Sequence, residues 1–128
     1  MRSCRRGLSC TRVGTPATSS FGSWGAVDPA TGQVIWQTAD PNGSIDLGAV
    51  SVANGVLYAG SMGALFFPAD QPTMFALNAA TGQELWSFTS GGSVNAGPAI
   101  AHGTVYWGSS YSRLGFGGTN NKLFAFSR

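Results

Sequence analysis

Ala26-Val27-Asp28-Pro29-Ala30-Thr31-Gly32-Gln33-Val34-Ile35-Trp36 returns 50 residues on as Ala76-Leu77-Asn78-Ala79-Ala80-Thr81-Gly82-Gln83-Glu84-Leu85-Trp86. Six of the eleven positions are identical, and Val/Leu, Asp/Asn and Ile/Leu make three more similar. Val52-Ala53-Asn54-Gly55-Val56-Leu57-Tyr58-Ala59-Gly60-Ser61 is matched 48 residues on by Ile100-Ala101-His102-Gly103-Thr104-Val105-Tyr106-Trp107-Gly108-Ser109. Met74-Phe75-Ala76-Leu77 returns as Leu123-Phe124-Ala125-Phe126 at an offset of 49. A period near 50 residues, built from short apolar runs and tight turns, reads as the blades of a β-propeller.

One repeat resolves into four strands. Strand A covers about Gly48 to Ala53, followed by an Asn54-Gly55 hairpin turn of the kind that accepts positive φ at both positions. Strand B runs from Val56 to Ser61 and strand C from Thr73 to Asn78. A tight turn, Ala79 to Gly82, leads into strand D, Gln83 to Thr89. The next repeat places A at Gly97 to Ala101, B at Thr104 to Ser109 and C at Lys122 to Phe126. A C–D pair, Trp24 to Asp28 and Gln33 to Thr38, precedes them. The expected fold class is therefore all-β, a partial propeller of antiparallel four-stranded blades. It comprises C and D strands (23–38), a complete blade (48–89) and the A to C strands of a terminal blade (97–126). A blade that stops at strand C needs an outer strand from elsewhere. The chain is thus expected to be the C-terminal end of a longer ring, associating with the remaining blades or with itself through open strand edges.

Composition agrees. Only 9% of the 128 residues are charged, 19 are Gly and 43% are hydrophobic. Such a chain lacks the charged helix surfaces of a bundle, and it is too apolar for a disordered tail. No apolar run reaches the roughly 20 residues that a membrane-spanning helix needs. Four of the seven basic residues, Arg2, Arg5, Arg6 and Arg12, lie in the first twelve positions. Beyond them, Arg113, Lys122 and Arg128 face five acids, a net of about −2 and no basic stripe for phosphates, so nucleic acid is not an expected partner. Residues 1–20 are expected to form a separate, disordered basic tail. It holds Cys4 and Cys10 in neither a CxxC nor a haem-attachment spacing, and it lacks the apolar segment of a secretory signal.

The repeated side chains read as structure. Trp36 and Trp86 each end a copy of the motif on an outer strand, where an indole can pack onto the neighbouring blade beside a glycine. Both are expected to be buried, with Trp107 less important. Thr31-Gly32 and Thr81-Gly82 are turn chemistry, and Asp28 and Asn78 open those turns by bonding the backbone two residues on. His102 takes the hairpin place of Asn54 and is therefore a turn residue, not a base or a metal ligand. The B–C and D–A connections are long and share one rim. Asp40, Asn42, Asp46, Asp70, Asn95, Tyr111, Arg113, Asn120 and Asn121 gather there, and loops of this kind carry function.

The A-x-(D/N)-x-x-T-G-Q-x-x-W motif at 26–36 and 76–86 resembles the tryptophan-docking repeat of quinoproteins, eight-bladed propellers that bind pyrroloquinoline quinone (PQQ). Gly91 to Ile100, Val105 to Ser109 and Asn120 to Phe126 resemble the C-terminal part of polyvinyl-alcohol-dehydrogenase-like members. The resemblance covers about Phe21 to Arg128. It implies about two and a quarter blades of an eight-bladed ring and a periplasmic or extracellular setting. It further implies a parent enzyme in which PQQ oxidises an alcohol beside Ca²⁺. The adjacent cysteine pair, the calcium-ligand set and the CxxCH motif of such enzymes have no match here, so no catalytic or metal residue is assigned. The chain alone is expected to hold neither cofactor nor activity. Asn95 and Arg113 are the candidate cofactor contacts, by loop placement. The alternative is a non-catalytic propeller of the same repeat, acting as a binding or assembly scaffold.

Overall fold

Among the described residues nine strands appear where the repeat places them. The computed structural model describes residues 22–63, 70–110 and 117–127. The basic tail, Tyr111 and Arg113 lie outside the described residues. The strands are β1 (Ser23–Val27), β2 (Val34–Ala39), β3 (Ser51–Ala53), β4 (Val56–Gly60), β5 (Met74–Asn78), β6 (Glu84–Phe88), β7 (Ala99–Ala101), β8 (Thr104–Ser109) and β9 (Lys122–Phe126). They form three antiparallel sheets, ordered β1-β2, β3-β4-β5-β6 and β7-β8-β9. The architecture is all-β, a partial propeller whose middle blade is complete and whose third blade has strands A to C among the described residues.

Local chemistry sets the turns. Asn54 and Gly55 have φ of 50° and 77°, and His102 and Gly103 have 49° and 76°. Both hairpins therefore use the same left-handed pair, which explains why His and Asn interchange there. In the C–D turns, Asp28 accepts from the Ala30 N–H and the Thr31 hydroxyl at 2.8 and 2.7 Å. Asn78 Oδ1 accepts from the N–H groups of Ala80 and Thr81 at 2.9 and 3.2 Å. Each turn then feeds a bulge: the register shifts between Ala26 and Val27 and again between Ala76 and Leu77. The bulge aligns each tryptophan with an alanine, Trp36 with Ala26 and Trp86 with Ala76.

Strand A is shorter than its sequence suggests. β3 starts at Ser51, not Gly48, because 48–50 and 95–98 run against each other between blades. A Cβ on Gly48 would lie 3.1 Å from the Asn95 carbonyl oxygen, and one on Gly97 would lie 3.0 Å from that of Ala49. Backbone meets backbone there, so neither segment extends its sheet.

Alternation along the strands sends side chains to both faces of each blade. Trp24, Trp36, Leu57, Ala59, Phe75 and Leu77 make one buried cluster between the first and second sheets. Met74, Val94, Val105 and Trp107 make another between the second and third, with Tyr58, Phe88, Phe124 and Phe126 packed on it. A blade of this kind is a core wall on both sides and finds stability only between neighbours.

Candidate functional site

The two rims differ as the loop lengths imply. On the tight-turn rim, the C–D turn is tied to the A–B turn by the Ala79 N–H, which donates to the Gly55 carbonyl at 2.9 Å. It is also tied to the preceding blade. The Trp36 indole N–H donates to the Ala79 carbonyl at 2.9 Å, and the Thr38 hydroxyl to the Gly82 carbonyl at 2.7 Å. A Cβ on Gly82 would stand 2.7 Å from Trp36 Cδ2, so glycine is needed there for contact as well as for its φ of 73°.

Trp86, the repeat partner of Trp36, corrects the expectation of burial. It is 38% exposed, against 9% for Trp36. Its ring lies against Phe88 and Phe126, with centroids 5.8 and 5.0 Å away. The reason is the sheet order: the third sheet has no C–D turn among the described residues to receive the indole. Trp107 reverses the expectation in the other direction. It is fully buried, and its N–H donates to the Ala96 carbonyl at 2.8 Å.

On the loop rim, hydroxyls knit three connections together. Ser90 Oγ lies 2.7 Å from Thr73 Oγ1 and 2.6 Å from Ser109 Oγ, and donates to the Gly92 carbonyl at 2.8 Å. The Ser93 hydroxyl donates to the Met62 carbonyl at 2.5 Å and accepts from the Gly118 N–H at 2.8 Å. The Asn120 side-chain amide donates to the Ser90 carbonyl. The four hydroxyls, of Thr73, Ser90, Ser93 and Ser109, are buried and paired, which holds the rim rigid.

Asn95 lines an open cleft of about 560 Å³ with Ala96, Ser109, Ser110, Asn121 and Lys122. Its Oδ1 is buried without a donor. The cleft offers amides, hydroxyls and one cation, a set able to hold an anionic or carbonyl-bearing group.

A second feature escaped the sequence reading, which placed Asp40 and Asp46 only among the polar rim residues. The D–A loop of the first blade turns their carboxyl groups on each other. Asp40 is 4% exposed; its Oδ1 accepts from the Asn42 N–H at 2.6 Å, while its Oδ2 and both carboxyl oxygens of Asp46 are buried with no donor. Burial first, and then the Asp40 carboxyl and its charge close by, push the Asp46 carboxyl up to about 8. Burial beside a like charge therefore favours the protonated form of the Asp46 carboxyl. Two acids six residues apart in one polar loop were the available signal.

The implied cofactors can be tested against these groups. PQQ is a planar tricarboxylate and Ca²⁺ takes several oxygen ligands. The described rim supplies Lys122 as a single cation and no aromatic plane over the cleft. No group of three or more His, Cys, Asp or Glu is assembled among the described residues. By themselves these residues do not fit the pair, and no chemical step is routed through it. Asn95 stands at the cleft; Arg113 lies outside the described residues.

Among known proteins, no curated protein matches the chain. Among solved structures it is similar to a europium-containing methanol dehydrogenase, with a TM-score of 0.60 and 20% identity. The match covers 82% of this chain and 19% of that one, and at this identity it shows the fold alone. The family model described as outer membrane protein assembly factor BamB matches residues 20–127. With its doubled repeat, its bladed sheets and that match over most of its length, the chain belongs to this PQQ-repeat family of β-propellers.

Proposed function

We propose that the chain is one arc of a quinoprotein alcohol dehydrogenase of the polyvinyl-alcohol-dehydrogenase-like type, inactive alone. The observation that carries this reading is the loop rim, where a hydrogen-bonded floor presents Asn95 and Lys122 at an open cleft. Likeness of fold to a methanol dehydrogenase supports it. In this reading the arc supplies polar contacts to the quinone, from Asn95 and Arg113. The remaining blades supply the stacking surfaces, the calcium ligands and the base. A central cofactor needs groups from most of the ring, so the arc alone neither holds the cofactor nor turns anything over. The compartment is periplasmic or extracellular. Among the described residues no helix is long and apolar enough to cross a membrane. The test is to supply PQQ and Ca²⁺ to this chain alone and to the chain joined to the preceding blades. Alcohol oxidation is expected only in the second case, and Asn95→Ala should lower it there. Turnover by the arc alone, or full activity after Asn95→Ala, would sink the reading.

One finding favours a second reading, a non-catalytic propeller that serves as an assembly scaffold. The matching family model is described by an assembly factor, not by an enzyme. A complete ring that binds a protein partner but gives no PQQ-dependent turnover would decide for it.

A further inference from the structure

We propose that Asp40 and Asp46 bind a structural divalent cation, Ca²⁺, which fastens the D–A loop of the first blade to the start of β1. This ion is separate from the one a quinone site calls for. Neither aspartate lines the Asn95 cleft, and the ligands need no quinone. The proposal holds whether the propeller is an enzyme or a scaffold.

Asp40 is 4% exposed, and its Oδ2 faces the Asp46 carboxyl without meeting a donor. Both carboxyl oxygens of Asp46 are likewise buried and without a donor. Proteins pair nearly every buried polar atom, and a buried carboxylate meets either a charged partner or a metal ion. No basic side chain among the described residues serves. Lys122, the only Lys or Arg among them, lines the Asn95 cleft, and His102 occupies the A–B hairpin of the opposite rim. A proton does not complete the group either. Carried on Asp46 and given to Asp40, it joins two of these three oxygens and leaves the third bare. A divalent ion takes all three and cancels both charges.

The backbone around the pair brings in a further oxygen. The Gly22 N–H donates to the Ser44 carbonyl at 2.6 Å, and the Gly22 carbonyl accepts from the Asp40 N–H at 3.1 Å. A Cβ on Gly22 would stand 2.7 Å from Asp46 Cγ and 2.7 Å from the Ser44 carbonyl oxygen. Glycine thus leaves the room in which carboxyl and carbonyl converge, and that carbonyl keeps a second lone pair. Carboxylates, a carbonyl and water suit hard cations such as Ca²⁺, Mg²⁺ and Mn²⁺. Calcium fits this set best, since it accepts a carboxylate through both oxygens beside a backbone carbonyl, whereas Mg²⁺ demands near-ideal octahedral geometry. With two carboxylates the affinity belongs among weak extracellular sites, a Kd of about 0.1–1 mM. The loop runs on to Gly48, which packs on the Asn95 backbone, so the ion stiffens the rim beside the cleft.

The test is a carbon-detected NMR titration of the full, metal-free chain with calcium chloride, at constant ionic strength and without quinone. The side-chain carboxyl resonances of Asp40 and Asp46 should shift together and saturate, with a midpoint in that range. The resonance of Glu84, exposed on β6, should stay. Magnesium chloride should need about tenfold more for the same shift. Asp40→Asn, followed at the Asp46 carboxyl, and Asp46→Asn, followed at Asp40, should each weaken binding about tenfold or more. Circular dichroism checks that both variants are folded, and the native chain carries the test if one is not. No saturation by about 10 mM, or an equal shift at Glu84, would overturn the site. So would native affinity in both folded asparagine variants. An equal response to magnesium would overturn the assignment to calcium.

Discussion

Trp36 donates its indole N–H to the carbonyl of Ala79, 43 residues along the chain and one blade away, at 2.9 Å. This bond joins a strand end to a turn, and it places the ring where the next blade has a glycine. Three of the predictions below concern how such blade-to-blade contacts hold the arc together.

Trp36→Ala and Trp107→Ala should each cost about 3–5 kcal/mol, since both remove a buried indole and leave a cavity. Trp86→Ala should cost only about 1–2 kcal/mol, because that ring is partly in solvent and less apolar area is lost. Urea unfolding of the three variants measures the order. Equal losses at Trp36 and Trp86 would contradict the structural difference between them.

Gly82→Ala and Gly32→Ala separate backbone strain from contact. Both residues have φ near 70°, so each substitution costs about 1–2 kcal/mol of left-handed backbone strain. At Gly82 the new methyl also meets the Trp36 ring and the Thr38 hydroxyl, adding about 1–3 kcal/mol of overpacking. The ring's share of that excess should vanish in a Trp36→Ala background, leaving the part due to Thr38, and a double-mutant cycle reads the difference directly.

Ser90→Ala should destabilise by about 1–3 kcal/mol, more than an ordinary surface serine. Its hydroxyl is 2.6 Å from that of Ser109 and 2.7 Å from that of Thr73, and its loss strands buried partners. Pairing the change with Ser109→Ala should give less than the sum of the single losses.

The carboxyl pair predicts a pH dependence of definite sign. The Asp46 proton is held up to about pH 8 in the folded chain and only to about 3.8 in the unfolded one. Between those values the folded state binds the extra proton, so this group's contribution falls as pH rises through the window and is flat above it. Asp46→Asn removes the effect. The difference in stability between the two proteins, followed by denaturant melts from acid to alkaline pH, should grow in favour of asparagine and then level off. A difference independent of pH would contradict the raised Asp46 carboxyl.

Acid should act oppositely at Asp28, whose bonds from the Thr31 hydroxyl and the Ala30 N–H hold its carboxyl below the usual range. That contribution is present above the ordinary carboxylate value and lost as pH falls through the lowered one. The group is exposed, so the effect is small; carbon-detected NMR titration of the side chain reads it without reference to stability.

The strands, their order within each blade, both left-handed hairpins and the Thr-Gly turns were legible in the sequence. They depend on local chemistry and on a pattern repeated at fixed spacing: Asn54-Gly55 and His102-Gly103 bend the backbone alike wherever they stand. The two copies of the tryptophan motif looked equivalent for the same reason. Only the tertiary structure distinguished them, because burial of an indole depends on what the next blade brings to it. Trp36 meets Ala79 and Gly82, while Trp86 lies half-exposed against Phe88 and Phe126. The Asp40–Asp46 contact and the Asn95 cleft likewise arise where loops distant from one another, or folded back on themselves, place polar groups out of water. No spacing rule encodes that, since the burial that raises the Asp46 carboxyl is set by how the loop packs, whereas the bonds that lower Asp28 come from its own turn.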